Sequence, residues 1–147
     1  MMLAKVVIIS GRTRTEALAM LGILPHLVIG NHGAEWPDYY NSPFHHPIND
    51  ICRHRSIKVE LFPMETLTKA EALLAAMRSI DSGRAVYFGG NVPDEEAFQM
   101  KNANIFGVHV GGNGQTTAPY YLNEPSEVLG LLNSMVGMLE QYPLQGC

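Results

Sequence analysis

Short apolar runs alternate along this chain with segments whose apolar residues recur at helical spacing. Four runs are typical of buried strands: Lys5–Ser10, Leu27–Ile29, Ala85–Phe88 and Ile105–Val110. Two weaker ones indicate a half-solvated strand and a short edge strand: Ile57–Phe62 and Ala118–Leu122. Helices are predicted after a cap at Thr13 or Thr15, over Leu67–Ile80 and over Ser126–Gln141. The alternation predicts an α/β fold, a doubly wound and mostly parallel sheet flanked by helices in three layers.

The segment Ala85–Met100 is the centre of this pattern. A β-branched and aromatic run ends in Gly89 and Gly90, and a proline followed by three carboxylates then begins a helix. In open α/β sheets, ligands bind at the carboxyl edge, where such turns lie. We therefore expect function at this edge.

Residues 36–56 interrupt the alternation of predicted strands and helices. Prolines, polar residues, three histidines and several aromatic residues are mixed there without a helical or strand period. Loops of about twenty residues are uncommon in compact domains and usually have a function or lack order. No repeat or second domain is evident, so residues 1–147 are predicted to form one domain.

Composition narrows the classes of function. The chain has 147 residues, 46% of them hydrophobic, with a formal charge of -4 and a pI near 5.8. An acidic chain with one short basic cluster around Arg53 and Arg55 argues against nucleic-acid binding. No apolar run approaches the ~20 residues of a membrane span, and we expect no signal peptide. With only two cysteines, a reducing, cytoplasmic location is the expectation.

Two turns carry residues suited to binding an anion. Ser10, Gly11 and Arg12 offer a hydroxyl, backbone N–H groups and a guanidinium before a helix N-terminus, and Lys69 begins another helix. Each feature also has an ordinary interpretation, since capped helices occur in any α/β protein and most lysines are surface residues. A cation in a first helical turn opposes the helix dipole, which hints at a specific role for Lys69.

Candidate metal ligands are weaker. Asp94, Glu95 and Glu96 have the hard oxygen ligands that Mg²⁺ prefers, with Asn91 as a neutral addition, yet helix N-termini favour the same residues. His45 and His46 are adjacent, which does not suit a zinc site on one helix face. His32 lies in a glycine turn, where a bond to backbone is the simplest role.

Taken in order, these motifs resemble the trehalose-6-phosphate phosphatases of the haloacid dehalogenase superfamily, over nearly all of residues 5–139. The resemblance rests on five segments: 10–12 (Ser-Gly-Arg), 30–35 (Gly-Asn-His-Gly-Ala-Glu), 59–63 with Lys69, 86–98 and 116–122. It implies a magnesium-dependent sugar-phosphate hydrolase of trehalose biosynthesis. By this likeness Ser10 binds the substrate phosphate, Lys69 pairs with the phosphate and the nucleophile, and 89–95 supply metal-ligating carboxylate.

The chain also departs from that family's pattern. The first motif, Asp-x-Asp-Gly-Thr, which holds the aspartate nucleophile, would lie before Lys5, and we expect the chain to lack it. Gly90 and Asn91 stand where the fourth motif has two aspartates, and residues 36–56 are all that remains of the substrate-recognising cap. Three interpretations follow: a truncated, catalytically impaired relative; a module that binds phosphate or trehalose 6-phosphate without hydrolysis; or an interaction domain completed by another chain.

The missing motif also affects the sheet. In the family its strand lies between the strand ending at Ser10 and the strand ending at Phe88. We predict that Lys5–Ser10 and Ala85–Phe88 pair directly as parallel neighbours; otherwise a strand from another molecule inserts between them. Self-association through this position is expected.

Overall fold

The computed structural model describes residues 4–38, 40, 67–101, 104–112 and 114–142 of the chain. In chain order its elements are β1 (Val7–Ile9), α1 (Arg14–Leu21), β2 (Leu27–Ile29), a 3₁₀ turn (Asn31–Gly33), α2 (Lys69–Ser79), β3 (Ala85–Gly89), a 3₁₀ turn (Val92–Asp94), α3 (Glu95–Phe98), β4 (Ile105–Val110), β5 (Tyr120–Leu122) and α4 (Glu127–Gln141). The α/β class and the parallel strands predicted from the sequence are confirmed.

The strands form two small parallel sheets instead of one continuous sheet. β1 pairs with β2, and β3, β4 and β5 follow one another in the second sheet, with β5 at its edge. The predicted pairing of Lys5–Ser10 with Ala85–Phe88 is therefore wrong for the described residues. Its premise also fails, because full burial on both faces was expected and β1 is only half-buried, while Val86 of β3 is exposed.

Capping boxes define the N-termini of helices α1 and α2. The Thr13 side chain accepts from the Glu16 N–H, and the Glu16 carboxylate accepts from the Thr13 N–H; Thr68 and Glu71 repeat this arrangement at α2. Each box satisfies N–H groups that have no partner within the helix. Gly22 ends α1 at φ 63°, a left-handed conformation that glycine adopts without strain.

Helix α2 covers both sheets and joins two apolar clusters. One cluster contains Leu73, Met77, Tyr87 and Phe98, and the other is built around β2 and Trp36. Side chains of α2 contribute to both, and Ile9 of β1 packs against both. The core therefore lies along α2, with the sheets side by side beneath it.

The opposite face of the molecule is less covered. Met20, predicted on the apolar side of α1, is 68% exposed, and Phe106 of β4 is 52% exposed. Helix α4 has the predicted apolar face but no buried residue. A bilayer crossing needs about 20 apolar residues, and no helix in the described part of the chain meets that requirement.

Most of the predictions for residues 36–56 concern residues that the structure does not describe. Trp36 and Pro37 are buried, and the Trp36 indole N–H donates to the Gly33 carbonyl at 2.9 Å. The predicted cap remnant beyond Tyr40, including His45 and His46, and the predicted strand Ile57–Phe62 lie outside the part that the structure describes.

Candidate functional site

The turns that follow β1 and β2 are joined to each other. The His32 N–H donates to the Ser10 carbonyl at 2.9 Å, and the Asn31 N–H donates to the Arg12 carbonyl at 2.8 Å. Gly33 lies against the start of α2, since a Cβ placed on it would be 3.0 Å from the Ala72 Cβ. The carboxyl ends of β1 and β2 therefore meet the N-terminal turns of α2, one helical turn from Lys69.

The turn after β3 reaches the same end of α2 through an ion pair. The Lys69 Nζ lies 2.9 Å from the Asp94 Oδ1, and the two side chains are 12% and 3% exposed. Both sheets thus present their carboxyl ends at the N-terminus of one helix. The predicted site residues Ser10, Gly11, Arg12, Lys69 and Asp94 lie along this edge.

Asp94 is held by four donors. Its Oδ1 accepts from Lys69 and from the Tyr87 hydroxyl at 2.8 Å, and its Oδ2 accepts from the N–H groups of Gly90 at 3.0 Å and Asn91 at 2.9 Å. Two donors per oxygen use about all the lone-pair sites of a carboxylate. Asp94 is therefore placed as a buried counter-ion that fixes Lys69 and the glycine turn.

These bonds bear on the predicted magnesium ligands. A metal ion at Asp94 would have to displace one of its four donors, and Asn91 is exposed, with its backbone N–H committed to Asp94. Among the described residues, no three His, Cys, Asp or Glu side chains are grouped closely enough to hold a metal ion. The arrangement around Asp94 therefore does not fit Mg²⁺. Magnesium binding by the chain, which the family resemblance implies, stays a prediction.

The same bonds set the ionisation of the pair. Burial alone would raise the pKa of Asp94, but the hydrogen bonds from Lys69, the Asn91 N–H and Tyr87 outweigh it, and the pKa is lowered from 3.8. Burial, followed by the bond to the Asp94 carboxylate, raises the pKa of Tyr87 far above 10. Asp94 is therefore ionised and Tyr87 neutral across the physiological pH range.

A test of this assignment is the acid dependence of stability. Because the folded-state pKa of Asp94 is lowered, its contribution is present above pH 3.8 and is lost as pH falls through the lower, folded-state value. We expect Asp94→Asn to reduce the fall in unfolding free energy between pH 5 and pH 2, measured by urea denaturation. Glu96→Gln, which changes an exposed carboxylate two residues away, is the control. Equal pH slopes for wild type and Asp94→Asn would contradict the assignment.

The predicted anion site at the N-terminus of α1 is partly occupied by the protein's own carboxylates. The Arg14 N–H donates to the Glu35 Oε2 at 2.7 Å, and the Thr13 N–H donates to the Glu16 Oε2 at 3.1 Å. These carboxylates offset the positive end of the helix dipole. What remains for a ligand is the Arg12 guanidinium and the Ser10 hydroxyl, whose oxygen accepts from the Arg12 N–H at 3.0 Å.

Strained backbone marks the 3₁₀ turn beside Ser10. Asn31 and His32 have φ of 47° and 56°, a region that few non-glycine residues adopt. The His32 ring lies over Gly11, where a Cβ would be 2.5 Å from the ring Cε1. The absence of a side chain at Gly11 therefore permits the close approach of the two turns.

Sequence reasoning gave Glu35, Tyr87 and His109 no role at the site. Glu35 could have been found as a carboxylate ending the quoted segment 30–35, and Tyr87 as a hydroxyl inside an apolar strand. His109 had no distinguishing signal. Its ring is 7% exposed, and its Nδ1 lies 3.7 Å from the Glu95 Oε1 without a hydrogen bond among the described residues.

Glu95, considered above as a metal ligand, has another function here. Its Oε2 accepts from the N–H and the hydroxyl of Thr117, each at 2.8 Å. The bond from the Thr117 N–H is the main cause that lowers the pKa of Glu95. Through these hydrogen bonds, Glu95 connects the segment before β5 to the start of α3.

The geometry therefore places Arg12 and Lys69 at the carboxyl ends of the two sheets, with Lys69 held by Asp94 and the Arg12 backbone N–H bonded to the Ser10 hydroxyl oxygen. In comparisons with known proteins, no family model, no curated protein and no solved structure matches the chain.

Proposed function

We propose that this chain is a haloacid-dehalogenase-like relative of the trehalose-6-phosphate phosphatases that binds a phosphate monoester at the carboxyl edge without hydrolysing it. The observation that carries the proposal is Lys69, held by the buried Asp94 at the start of α2, which the 31–33 turn connects to the turn of Ser10 and Arg12. Charge-assisted bonds from lysine and arginine are the usual means of holding phosphate.

The balance of charge argues for modest affinity. Three cationic residues, Arg12, Arg14 and Lys69, share this region with three carboxylates, of which Glu16 and Glu35 accept from backbone N–H groups and Asp94 pairs with Lys69. A dianionic ligand gains only from groups that stay free to turn toward it. Arg12, which is exposed, is the main such group. Lys69 contributes less, because the Asp94 carboxylate neutralises most of its positive charge.

The same contacts support binding without turnover. Covalent phosphoryl transfer of the kind that the resemblance implies uses a carboxylate nucleophile whose oxygen can approach the phosphorus atom. Both oxygens of Asp94 are fully bonded, and the Oε2 of Glu35 accepts from Arg14 and from the Asn31 amide. Asp94 is therefore not free to attack, and Glu35 is held through one of its oxygens.

Titration with inorganic phosphate and trehalose 6-phosphate, followed by NMR shifts of the 10–12 and 31–33 amides, tests the proposal. We expect weak binding that Mg²⁺ does not change. Arg12→Gln should weaken it about tenfold, since a charge-assisted bond contributes roughly 1.5 kcal/mol. Arg84→Gln, an exposed arginine at the opposite end of β3, is the matched control and should leave affinity unchanged.

Two outcomes would overturn the proposal. Equal phosphate affinity in wild type and Arg12→Gln would remove the 10–12 turn from the site. Release of phosphate from the sugar that scales with added Mg²⁺ would show that a carboxylate nucleophile and a metal site are present after all.

A further inference from the structure

The sheet formed by β3, β4 and β5 has one covered face and one open face. Side chains alternate between the two faces of a strand, and the pairing register shows which of them share a face. Tyr87 lies on the covered face, where it packs with residues of α2 and α3. The opposite face, which we call the outer sheet face, includes Val86, Phe88, Phe106, Val108, Val110 and Tyr120.

The outer sheet face is apolar but largely in contact with solvent. Phe106 and Tyr120 are 52% and 57% exposed, and only Val108 at its centre is buried. The three strands place no charged residue on this face, and none of its residues belongs to either apolar cluster. A sheet face of this kind is normally covered by another layer. No helix in the described part of the chain packs extensively on it.

Helix α4 has the complementary property, an apolar helix face without a sheet. At 100° per residue its apolar side chains cover about half of the circumference: Val128, Leu131, Leu132, Met135, Val136 and Leu139. None of them is buried, and none belongs to either apolar cluster. The other side of the helix is formed by small and polar residues, among them Asn133 and Ser134.

The dimensions of the two surfaces match. With 15 residues at about 1.5 Å each, α4 is about 22 Å long. With six residues at about 3.3 Å each, β4 is about 20 Å long, and three strands spaced about 4.8 Å apart are about 14 Å wide. A helix with its side chains is about 10–12 Å across. One copy of α4 therefore suffices to cover the outer sheet face.

The connection between β5 and α4 sets the direction in which the helix leaves its own sheet. The connection has the four residues 123–126 and is held by hydrogen bonds. The Glu127 Oε2 accepts from the N–H groups of Asn123 at 2.7 Å and Glu124 at 3.0 Å. In this direction α4 leaves Phe106 exposed. A short connection that keeps an element off its own chain favours exchange of that element with a second copy.

Charges at the ends of the two surfaces are also complementary. When α4 lies antiparallel to the strands, as in ordinary βα units, its C-terminal end lies over the amino end of the sheet. The last turn of α4 contains Glu140 and no basic residue, and the helix dipole adds negative charge. Exposed Arg84 immediately precedes β3, and exposed Lys101 lies four residues before β4. Such rim charges contribute little affinity but favour one orientation.

We propose that two copies of this chain form a symmetric dimer in which α4 of each chain packs its apolar face on the outer sheet face of the other. Each chain then contributes one helix face and one sheet face, together roughly 500 Å², and the dimer buries roughly 1,000 Å², the area that a specific interface requires. A second copy is the favoured occupant because one chain carries both surfaces and symmetry forms each contact twice. The proposal does not depend on phosphate binding.

Size-exclusion chromatography with light scattering on the full chain tests the inference. We expect twice the chain mass of 16.2 kDa at a protein concentration of about 50 µM. Leu132→Glu on α4 and Phe106→Lys on the outer sheet face should each weaken the dimer about hundredfold, because each places a charge in an apolar contact. Asn133→Glu puts the same charge on the polar side of α4 and should leave the mass unchanged. Circular dichroism verifies that each variant is folded.

Mixing the two charged variants identifies the exchange. In a mixed dimer both substitutions fall in one contact, where their charges are opposite, and the second contact is wild type. We therefore expect the mixture of Leu132→Glu and Phe106→Lys chains to recover at least about tenfold of the affinity that each variant loses alone. A dimer formed by α4 against α4 would not respond to Phe106→Lys.

Three results would overturn the proposal. A wild-type chain that stays monomeric at about 50 µM would mean that its own residues or a different partner cover the outer sheet face. A dimer that persists in Phe106→Lys would place the interface elsewhere. A mixture of the two variants that stays monomeric would exclude reciprocal exchange of α4.

Discussion

Replacing Lys69 with methionine should lower the free energy of unfolding by about 3–5 kcal/mol, because it leaves the Asp94 carboxylate buried without its cation. Methionine keeps the unbranched stem, so little packing is lost. The three other donors to Asp94 are neutral and cannot replace the charge. Urea denaturation followed by circular dichroism measures the change. Lys101→Met, at an exposed lysine after α3, is the control and should stay within about 0.5 kcal/mol.

The double variant Lys69→Met/Asp94→Asn identifies the cause. If the cost arises from an unpaired buried charge, adding Asp94→Asn should recover part of the stability that Lys69→Met loses. Additive losses would show that Lys69 acts through its own packing. The experiment also affects ligand studies at this site, because loss of phosphate binding in a Lys69 variant is meaningful only where the variant is folded.

Elements with a strong local signal were predictable from the sequence. α1 begins after Thr13 and ends before Gly22 because a capping box and a left-handed glycine bound its eight residues. A capping box at Thr68 likewise starts α2, two residues after the predicted start at Leu67, and the apolar run before the glycines forms β3, Ala85–Gly89. The predicted penalty for a cation in the first turn of α2 is offset by Asp94, 25 residues later, which no local pattern could reveal.

The arrangement of the strands was not predictable because it depends on partners that are distant in the sequence. Apolar character on both faces suggested that β1 and β3 could be neighbours, but among the described strands β1 pairs with β2 and β3 with β4, and α2 packs against both sheets. Likewise, the N-terminus of α1 carries a general anion-binding signal. Glu35, twenty-one residues beyond Arg14, accepts from the Arg14 N–H and so occupies part of this anion-binding position.

The position of Asp94 shows how one carboxylate can be singled out from the sequence while its bonding partners cannot. Its place after a strand, two glycines and a proline marked it as a site residue, and it does lie beside Lys69. The number of donors around it depends on Tyr87 and on the path of the glycine turn. These contacts favour the role of counter-ion over that of metal ligand.

Gly90→Ala should destabilise the protein by about 3 kcal/mol, near the upper end of the cost of overpacking. A Cβ at Gly90 would lie 2.2 Å from the Val110 carbonyl oxygen, and this backbone atom cannot move without displacing the end of β4. Gly83→Ala is the matched control, since nothing lies within 4 Å of its Cβ, and it should be neutral or slightly stabilising. Gly90→Asp, which would introduce the carboxylate that the phosphatase resemblance places there, meets the same oxygen and should cost at least as much. Thermal and urea melts of the three variants measure this, and a Gly90→Ala protein as stable as Gly83→Ala would show that the turn can yield. If the cost is found, the glycine is required by the close approach of β4, and restoring one aspartate cannot by itself rebuild a metal site at this edge.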